Sequence, residues 1–166
     1  MKSLIIFGSL LCLLVCEISV EAETLKTPKK APDFTLKNVE GENIRLSEQI
    51  GNVVIVHFWA TWCGPCREEV SLLKSFYDKY HLLGFKVMGV MMNKEPRKAV
   101  NFVKKLELGY FNMLDVEHAT ARIYDVEKLP TTFILDRDGM IRYKHIDFKS
   151  AYKDIYENEI RQLLKE

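Results

Sequence analysis

The chain has 166 residues, enough for one domain with a hydrophobic core. Its hydrophobic fraction of 48% and charged fraction of 28% are those of a globular protein, and no internal repeat or low-complexity segment is present. Because the formal net charge is only +1, the charge balance offers no basis for binding nucleic acid or an acidic partner.

The first 22 residues have the features of an export signal. Lys2 precedes an apolar run over residues 4–15, and Ala22 provides a small residue at a cleavage point. The apolar run is short for a bilayer span, which needs ~20 residues. We therefore predict export to the periplasm with residues 1–22 cleaved as a signal peptide. Retention of this segment as a membrane anchor and lipidation of Cys16 are the alternatives.

The remaining chain divides into a polar segment and one domain. Residues 23–30 predict a flexible tether, and the domain is predicted to span residues 31–166. The apolar periodicity and the turn residues predict ten elements. The first five are a hairpin over 31–46, a helical turn at 47–50, a buried strand over 53–59, a helix ending near 80 and a buried strand over 85–92. They are followed by a helix from 96, a short strand over 113–115, a short helix over 119–124, a strand pair over 133–146 and a helix over 151–164. Buried strands alternating with helices indicate an α/β fold whose central sheet has helices on both faces.

Two cysteines, Cys63 and Cys66, lie where the first buried strand meets a helix. The unpaired N–H groups and the dipole at the start of a helix favour the thiolate, which is the nucleophilic form. Cleavage of the leader removes Cys12 and Cys16, so the only intrachain disulfide left would close a very short loop. We therefore predict a redox-active disulfide. A zinc site needs further ligands, and the histidines are scattered, so no metal site is predicted.

The sequence Trp-Cys-Gly-Pro-Cys at 62–66, together with Leu-Pro-Thr at 129–131 before a late strand, resembles thioredoxin. The Ala-Pro-Asp-Phe opening at 31–34 and the extra segment over 96–124 resemble the exported, AhpC/TSA-related TlpA/ResA-type branch, which includes reductases of cytochrome c maturation. The resemblance covers residues 31–165. It implies a three-layer thioredoxin-like fold with a central mixed sheet flanked by helices, an N-terminal β-hairpin and an inserted segment.

This resemblance implies a thiol–disulfide oxidoreductase of the protein-disulfide reductase type, with the Cys63–Cys66 disulfide as its redox group and no separate cofactor. Cys63 is the expected nucleophile, and Cys66 would resolve the mixed disulfide. The intervening Gly64 and Pro65 resemble those of reducing thioredoxins. We therefore predict a monomer that reduces disulfides of exported proteins, with apocytochrome c as one candidate, and that receives electrons from a membrane thiol donor.

Five residues form the predicted substrate surface: Trp62, Gly64, Pro65, Leu129 and Pro130. Trp62 is expected to form a partly exposed wall beside Cys63, whereas Pro65 shapes the turn between the thiols. By the resemblance, Pro130 is a cis proline packed beside the thiols. The backbone of Leu129 is then expected to pair with an extended substrate segment, as in strand addition.

Glu69 and His57 are the candidate proton carriers. Glu69 falls on the apolar stripe of the helix, three residues after Cys66, where the ResA-type branch often has an acid. Partial desolvation there would raise its pKa and let it exchange protons with Cys66. His57 occupies the strand position at which thioredoxin has a buried Asp. It is either a neutral, hydrogen-bonded core residue or a participant in proton transfer.

Two other functions remain as alternatives. A thioredoxin-fold peroxidase would share the Ala-Pro-Asp-Phe opening, but peroxiredoxins have a Thr three residues before the reactive Cys, where this chain has Ala60. A copper-binding assembly protein would use both cysteines and a distant histidine such as His145, although such relatives space their thiols further apart.

Overall fold

The computed structural model of the chain describes residues 23–166, and the predicted signal peptide over 1–22 lies outside the described residues. Among the described residues, no helix is long and apolar enough to cross a bilayer.

The described residues form eight strands, four α-helices and two 3₁₀ turns. The strands and helices are β1 (Glu23–Lys30), β2 (Thr35–Lys37), β3 (Asn43–Arg45), β4 (Val53–Trp59), α1 (Gly64–Tyr80), β5 (Phe85–Met91), α2 (Pro96–Leu106), β6 (Phe111–Leu114), α3 (Ala119–Ile123), β7 (Thr131–Leu135), β8 (Met140–Ile146) and α4 (Tyr152–Lys165). The 3₁₀ turns are Leu46–Gln49 and His81–Leu83.

Six of the strands form one mixed sheet in the order β1-β8-β7-β4-β5-β6. Strands β4, β5 and β6 are parallel, whereas β7, β8 and β1 are added in antiparallel fashion. Strand β4 lies inside the sheet, and all seven of its residues are buried, which explains its continuous apolar sequence. The predicted α/β fold with a central mixed sheet is confirmed.

The side chains on the two faces of β4 belong to two separate hydrophobic clusters. Ile55 and Trp59 point into the cluster formed with α1, α2 and α4, and this cluster contains both cysteines. Val56 and Phe58 point to the opposite face, where α3 and the N-terminal hairpin supply the packing. Both sides of the sheet are therefore covered, and the cysteines belong to the face under α1.

The interpretation of residues 23–30 as a flexible tether is wrong. These residues form β1, which pairs antiparallel with β8 through a register interrupted between Thr24 and Lys29. Pairing uses backbone groups and needs no apolar side chains, so a polar, lysine-rich segment can still cover a sheet edge. Charged residues are common on edge strands because they discourage further strand addition.

The hairpin predicted over 31–46 forms its own two-stranded sheet from β2 and β3. It is tied to the edge of the main sheet by a bridge between Asn38 and Met113 of β6, and by a hydrogen bond from the Val39 N–H to the Asn112 carbonyl. The hairpin therefore covers the edge opposite β1.

Candidate active site

Cys63 and Cys66 form a disulfide at the start of α1. Cys63 is the N-cap residue, and its Sγ accepts a hydrogen bond from the Cys66 N–H at 3.3 Å. Pro65 lies in the first turn, where the absence of an N–H costs no helical hydrogen bond. Cys63 is 8% exposed and Cys66 is fully buried, so Cys63 is the more accessible of the two cysteines.

Polar contacts fix the loop between β4 and α1. Asn93, which follows β5, accepts a hydrogen bond from the Thr61 N–H at 3.2 Å and donates one to the Thr61 hydroxyl at 2.7 Å. Arg67 donates to the Thr61 carbonyl at 3.2 Å. The residue before the active-site tryptophan is thus held by two neighbouring elements.

Trp62 is 68% exposed, whereas Trp59 is fully buried between the sheet and Phe102. The two tryptophans therefore differ as predicted: one packs in the core and the other presents its ring beside Cys63. A groove next to Trp62 is lined by Asn93, Lys94 and His118, among other residues.

The peptide bond between Leu129 and Pro130 is cis. Pro130 is buried, and Leu129 packs against the cluster that contains both cysteines. Within the described part of the chain, neither the N–H nor the carbonyl of Leu129 has a hydrogen-bond partner. These backbone groups are therefore open to an added strand.

Glu69 lies on the buried face of α1 and is completely inaccessible to solvent. Its Oε1 accepts hydrogen bonds from the Thr132 hydroxyl at 2.6 Å and from the Tyr156 hydroxyl at 2.9 Å. Burial raises the pKa of Glu69 to about 7, against the opposing effect of these two hydrogen bonds, and the charge of Asp147 raises it further. Glu68, its neighbour on the helix, is exposed.

His57 is equally buried and lies on β4 under α1. Its Nδ1 is 2.9 Å from the Thr132 hydroxyl and 3.6 Å from Glu69 Oε1. Burial lowers the pKa of His57 to about 3, so the imidazole is neutral at physiological pH. The structure thus joins the two predicted proton carriers through Thr132.

His145 is engaged elsewhere. Its Nε2 is 2.7 Å from Glu159 Oε2, and its ring centroid lies 4.4 Å from that of Tyr156. Among the described residues, no group of three or more histidine, cysteine or acidic side chains is placed to hold a metal ion. Nothing in this geometry favours the copper-binding alternative.

The sequence profile of the AhpC/TSA family matches residues 27–144. This chain belongs to the AhpC/TSA family. Within the AhpC/TSA family it is 32% identical over 126 residues to the thiol-disulfide oxidoreductase ResA of Bacillus cereus, covering 76% of this chain and 73% of that protein. It is 30% identical over 119 residues to ResA of Bacillus subtilis, covering 72% of this chain and 66% of that protein.

Solved structures of similar proteins agree with the similarity of this chain to ResA. A candidate thiol:disulfide interchange protein DsbE from Chlorobium tepidum superposes with a TM-score of 0.80 at 34% identity, covering 84% of this chain and 99% of that one. StoA from Bacillus subtilis superposes with a TM-score of 0.65 at 28% identity, covering 76% and 96%. The chain is therefore a thioredoxin-like, ResA-type thiol–disulfide oxidoreductase.

The predicted site residues lie in the first part of α1, in the loop that precedes it, on β4, and directly before β7, which pairs with β4. Sequence reasoning missed three partners: Asn93, Thr132 as a bridge, and Tyr156 on α4. Thr132 adjoins the Leu-Pro-Thr motif, and that proximity was the available signal. Tyr156 looks like any other apolar position of an amphipathic helix, and its contact with Glu69 depends on how α4 packs.

Proposed function

We propose that this protein reduces disulfides of exported proteins through the Cys63/Cys66 dithiol. The observation that carries the proposal is the difference in access at the start of α1, where Cys63 keeps some exposed surface and Cys66 has none. The hydrogen bond from the Cys66 N–H to the Cys63 sulfur, at the positive end of the helix dipole, favours the Cys63 thiolate.

The reaction proceeds by two exchanges. The Cys63 thiolate attacks one sulfur of the substrate disulfide, whose S–S bond breaks and releases the other sulfur as a thiolate. The Cys66 thiolate then attacks Cys63 and releases the second substrate sulfur. The substrate gains two electrons, and the protein is left with the Cys63–Cys66 disulfide. A thiol donor must return two electrons before the next cycle, and a membrane thiol protein is the proposed donor.

The substrate is proposed to bind as an extended segment. The backbone N–H and carbonyl of Leu129 have no partner among the described residues and can pair with a short extended segment of the substrate. Trp62, the neighbour of Cys63 in the chain, offers an exposed aromatic surface, and Gly64 and Pro65 keep the turn between the sulfurs free of long side chains.

Glu69 is proposed to take the proton from Cys66 during the second exchange. It lies on the same buried helix face as Cys66, three residues further along α1. A carboxyl group whose pKa is about 7 can both accept and return a proton near neutral pH.

The reducing direction, the periplasmic location, the monomeric state and apocytochrome c as a candidate substrate belong to the same proposal. The Gly-Pro dipeptide supports the reducing direction, the leader sequence supports the location, and the similarity to ResA-type proteins supports the candidate substrate. A disulfide reduction potential near about −120 mV, typical of strong oxidants, would contradict the reducing direction.

Trapping of mixed disulfides tests the assignment of the two cysteines. In Cys66→Ser, the Cys63 thiolate can still attack, but nothing releases the product, so a covalent complex with a disulfide-containing protein should accumulate. Non-reducing electrophoresis with mass spectrometry of the linked peptides measures this complex. Cys63→Ser is the matched control and should trap nothing. Trapping by Cys63→Ser alone would reverse the two roles.

A further inference from the structure

The hydroxyl of Thr132 lies between two buried titratable groups. Its Oγ1 is 2.6 Å from Glu69 Oε1 and 2.9 Å from His57 Nδ1, and all three side chains are inaccessible to solvent. A hydroxyl group carries one hydrogen. Thr132 can therefore donate to only one of these partners and must accept from the other.

The ionised form of Glu69 decides the direction of these hydrogen bonds. A carboxylate can only accept, so Thr132 donates to Glu69, and Tyr156 donates to the same oxygen at 2.9 Å. The Thr132 oxygen can then accept only from His57, which requires a hydrogen on Nδ1. The Thr132 and Tyr156 hydroxyls stabilise the negative charge of Glu69, and the orientation of the Thr132 hydroxyl depends on His57.

We propose that neutral His57, with its hydrogen on Nδ1, is the positioning residue that aims the Thr132 hydroxyl at the Glu69 carboxylate. The inference rests on the proposed function only for the role of Glu69 as a proton carrier. His57 itself is not proposed to touch the substrate or the sulfur atoms.

The second ring nitrogen supports this tautomer. His57 Nε2 is buried and has no hydrogen-bond partner among the described residues. With the hydrogen on Nδ1, the unpaired atom is an acceptor, whereas the other tautomer would leave a buried N–H without an acceptor. In folded proteins, a buried N–H group without an acceptor is rarer than a buried acceptor atom without a donor.

The other titratable groups near Glu69 do not replace His57. Tyr156 from α4 already donates to Oε1. Tyr110, which precedes β6, has its pKa raised by burial and by the charge of Glu69. Asp147, which follows β8, raises the pKa of Glu69. The Tyr156 hydroxyl also lies within hydrogen-bonding range of Thr132, but its one hydrogen is donated to Glu69, which leaves His57 to supply a hydrogen to Thr132.

Nitrogen-15 NMR of the histidine rings tests the tautomer directly in the oxidised full-length protein. The signals of residue 57 are assigned by their loss in His57→Asn. Above the pKa of Glu69, the expected ring has a protonated Nδ1 and an unprotonated Nε2. A ring protonated only on Nε2, or on both nitrogens, would overturn the proposal.

Infrared titration of the Glu69 carboxyl, assigned with Glu69→Gln, tests the consequence. In His57→Leu the donor is lost, and the midpoint should rise by about one pH unit or more. In His57→Asn the side-chain amide can place an N–H where Nδ1 was, so the midpoint should remain near that of the wild type. Equal midpoints in all three proteins would mean that His57 only fills space.

Thr132 provides a second pair of variants if His57→Leu does not fold. Thr132→Val removes the bridging hydroxyl and should raise the Glu69 midpoint, whereas Thr132→Ser keeps the hydroxyl and should not. An unchanged midpoint in Thr132→Val would overturn the proposal.

These measurements need no turnover, which separates the two proposals. If the protein fails to reduce disulfides but the Glu69 midpoint follows these substitutions, the proposed function is wrong and the assignment of His57 stands. If it reduces disulfides while the midpoint stays fixed, only the assignment of His57 is wrong.

Discussion

Glu69 is completely buried, and its carboxyl group keeps its proton to near neutral pH because of that burial. A buried carboxyl group is costly to ionise, and here only two hydroxyl donors compensate for the lost hydration. Its Oε2 has no partner among the described residues. The free oxygen leaves one side of the carboxyl available for a proton, which suits a group that exchanges protons.

Replacement of this carboxyl should change how the second exchange depends on pH. Glu69 accepts a proton only when ionised, so the rate of product release by Cys66 should rise as the pH passes about 7. In Glu69→Gln the rise near pH 7 should disappear, and the rate just above that pH should fall on the order of a hundredfold, because general base catalysis is lost. Stopped-flow measurement of substrate thiol release across the pH range provides the readout.

Glu68 supplies the control for this measurement. It lies on the same helix but is exposed, so Glu68→Gln should retain the wild-type profile. If the two variants have the same profile as the wild type, Glu69 does not carry the proton.

The strand and helix around the disulfide depend on close packing at β5. Gly89 is paired with His57 on one side and with Asn112 on the other. A Cβ atom added at Gly89 would lie 2.8 Å from Asn112 Oδ1 and 3.0 Å from Trp59 Nε1. The absence of a side chain at this position therefore allows Trp59 to pack beneath the active-site loop.

Gly89→Ala should lower the free energy of unfolding by about 1–3 kcal/mol, the usual cost of overpacking a core. Chemical denaturation of the oxidised protein measures this difference. Gly64→Ala is the matched control, because an added Cβ there meets no atom within 4 Å. Equal stability of the two variants would show that Asn112 and Trp59 move aside without cost.

At the level of the whole molecule, Glu69 and His57 act on stability with opposite signs. Folding raises the pKa of Glu69 from 4.5 to about 7, so the folded state binds the extra proton and stability falls as the pH rises through this range. Folding lowers the pKa of His57 from 6.5 to about 3, so the unfolded state binds the extra proton and stability rises with pH. Between pH 4.5 and 6.5, the fall in stability caused by Glu69 and the rise caused by His57 oppose each other, so stability changes little with pH through these two groups.

Replacing either residue alone should reveal how the other one makes the free energy of unfolding depend on pH. Between about pH 4.5 and 6.5, the stability of Glu69→Gln relative to the wild type should rise with pH by about 2–3 kcal/mol. The stability of His57→Asn relative to the wild type should fall by a similar amount. Denaturation of the oxidised proteins at several pH values gives these differences, since the other titrating groups are common to all three. Parallel curves would contradict the assigned pKa directions.

Local sequence patterns determined most of the secondary structure of this protein and the position of its cysteine pair. The buried run of β4, the cysteine pair beside a helix start and the proline at the first helical turn are all encoded by neighbouring residues. The same patterns placed most helices and strands, because side-chain periodicity follows directly from helix and strand geometry. The β-rich run after the Leu-Pro-Thr motif predicted β7, although it begins two residues earlier than expected.

Only the tertiary structure decided the rest. Residues 23–30 read as a tether, and they form a strand because backbone pairing with β8 does not depend on apolar side chains. The partners of Glu69 lie 63 and 87 residues further along the chain, so no local pattern could identify them. The sequence by itself determined where the disulfide chemistry lies. The packing of α1 and α4 on the sheet decided the pKa of Glu69 and of His57, because desolvation depends on what surrounds a group in space.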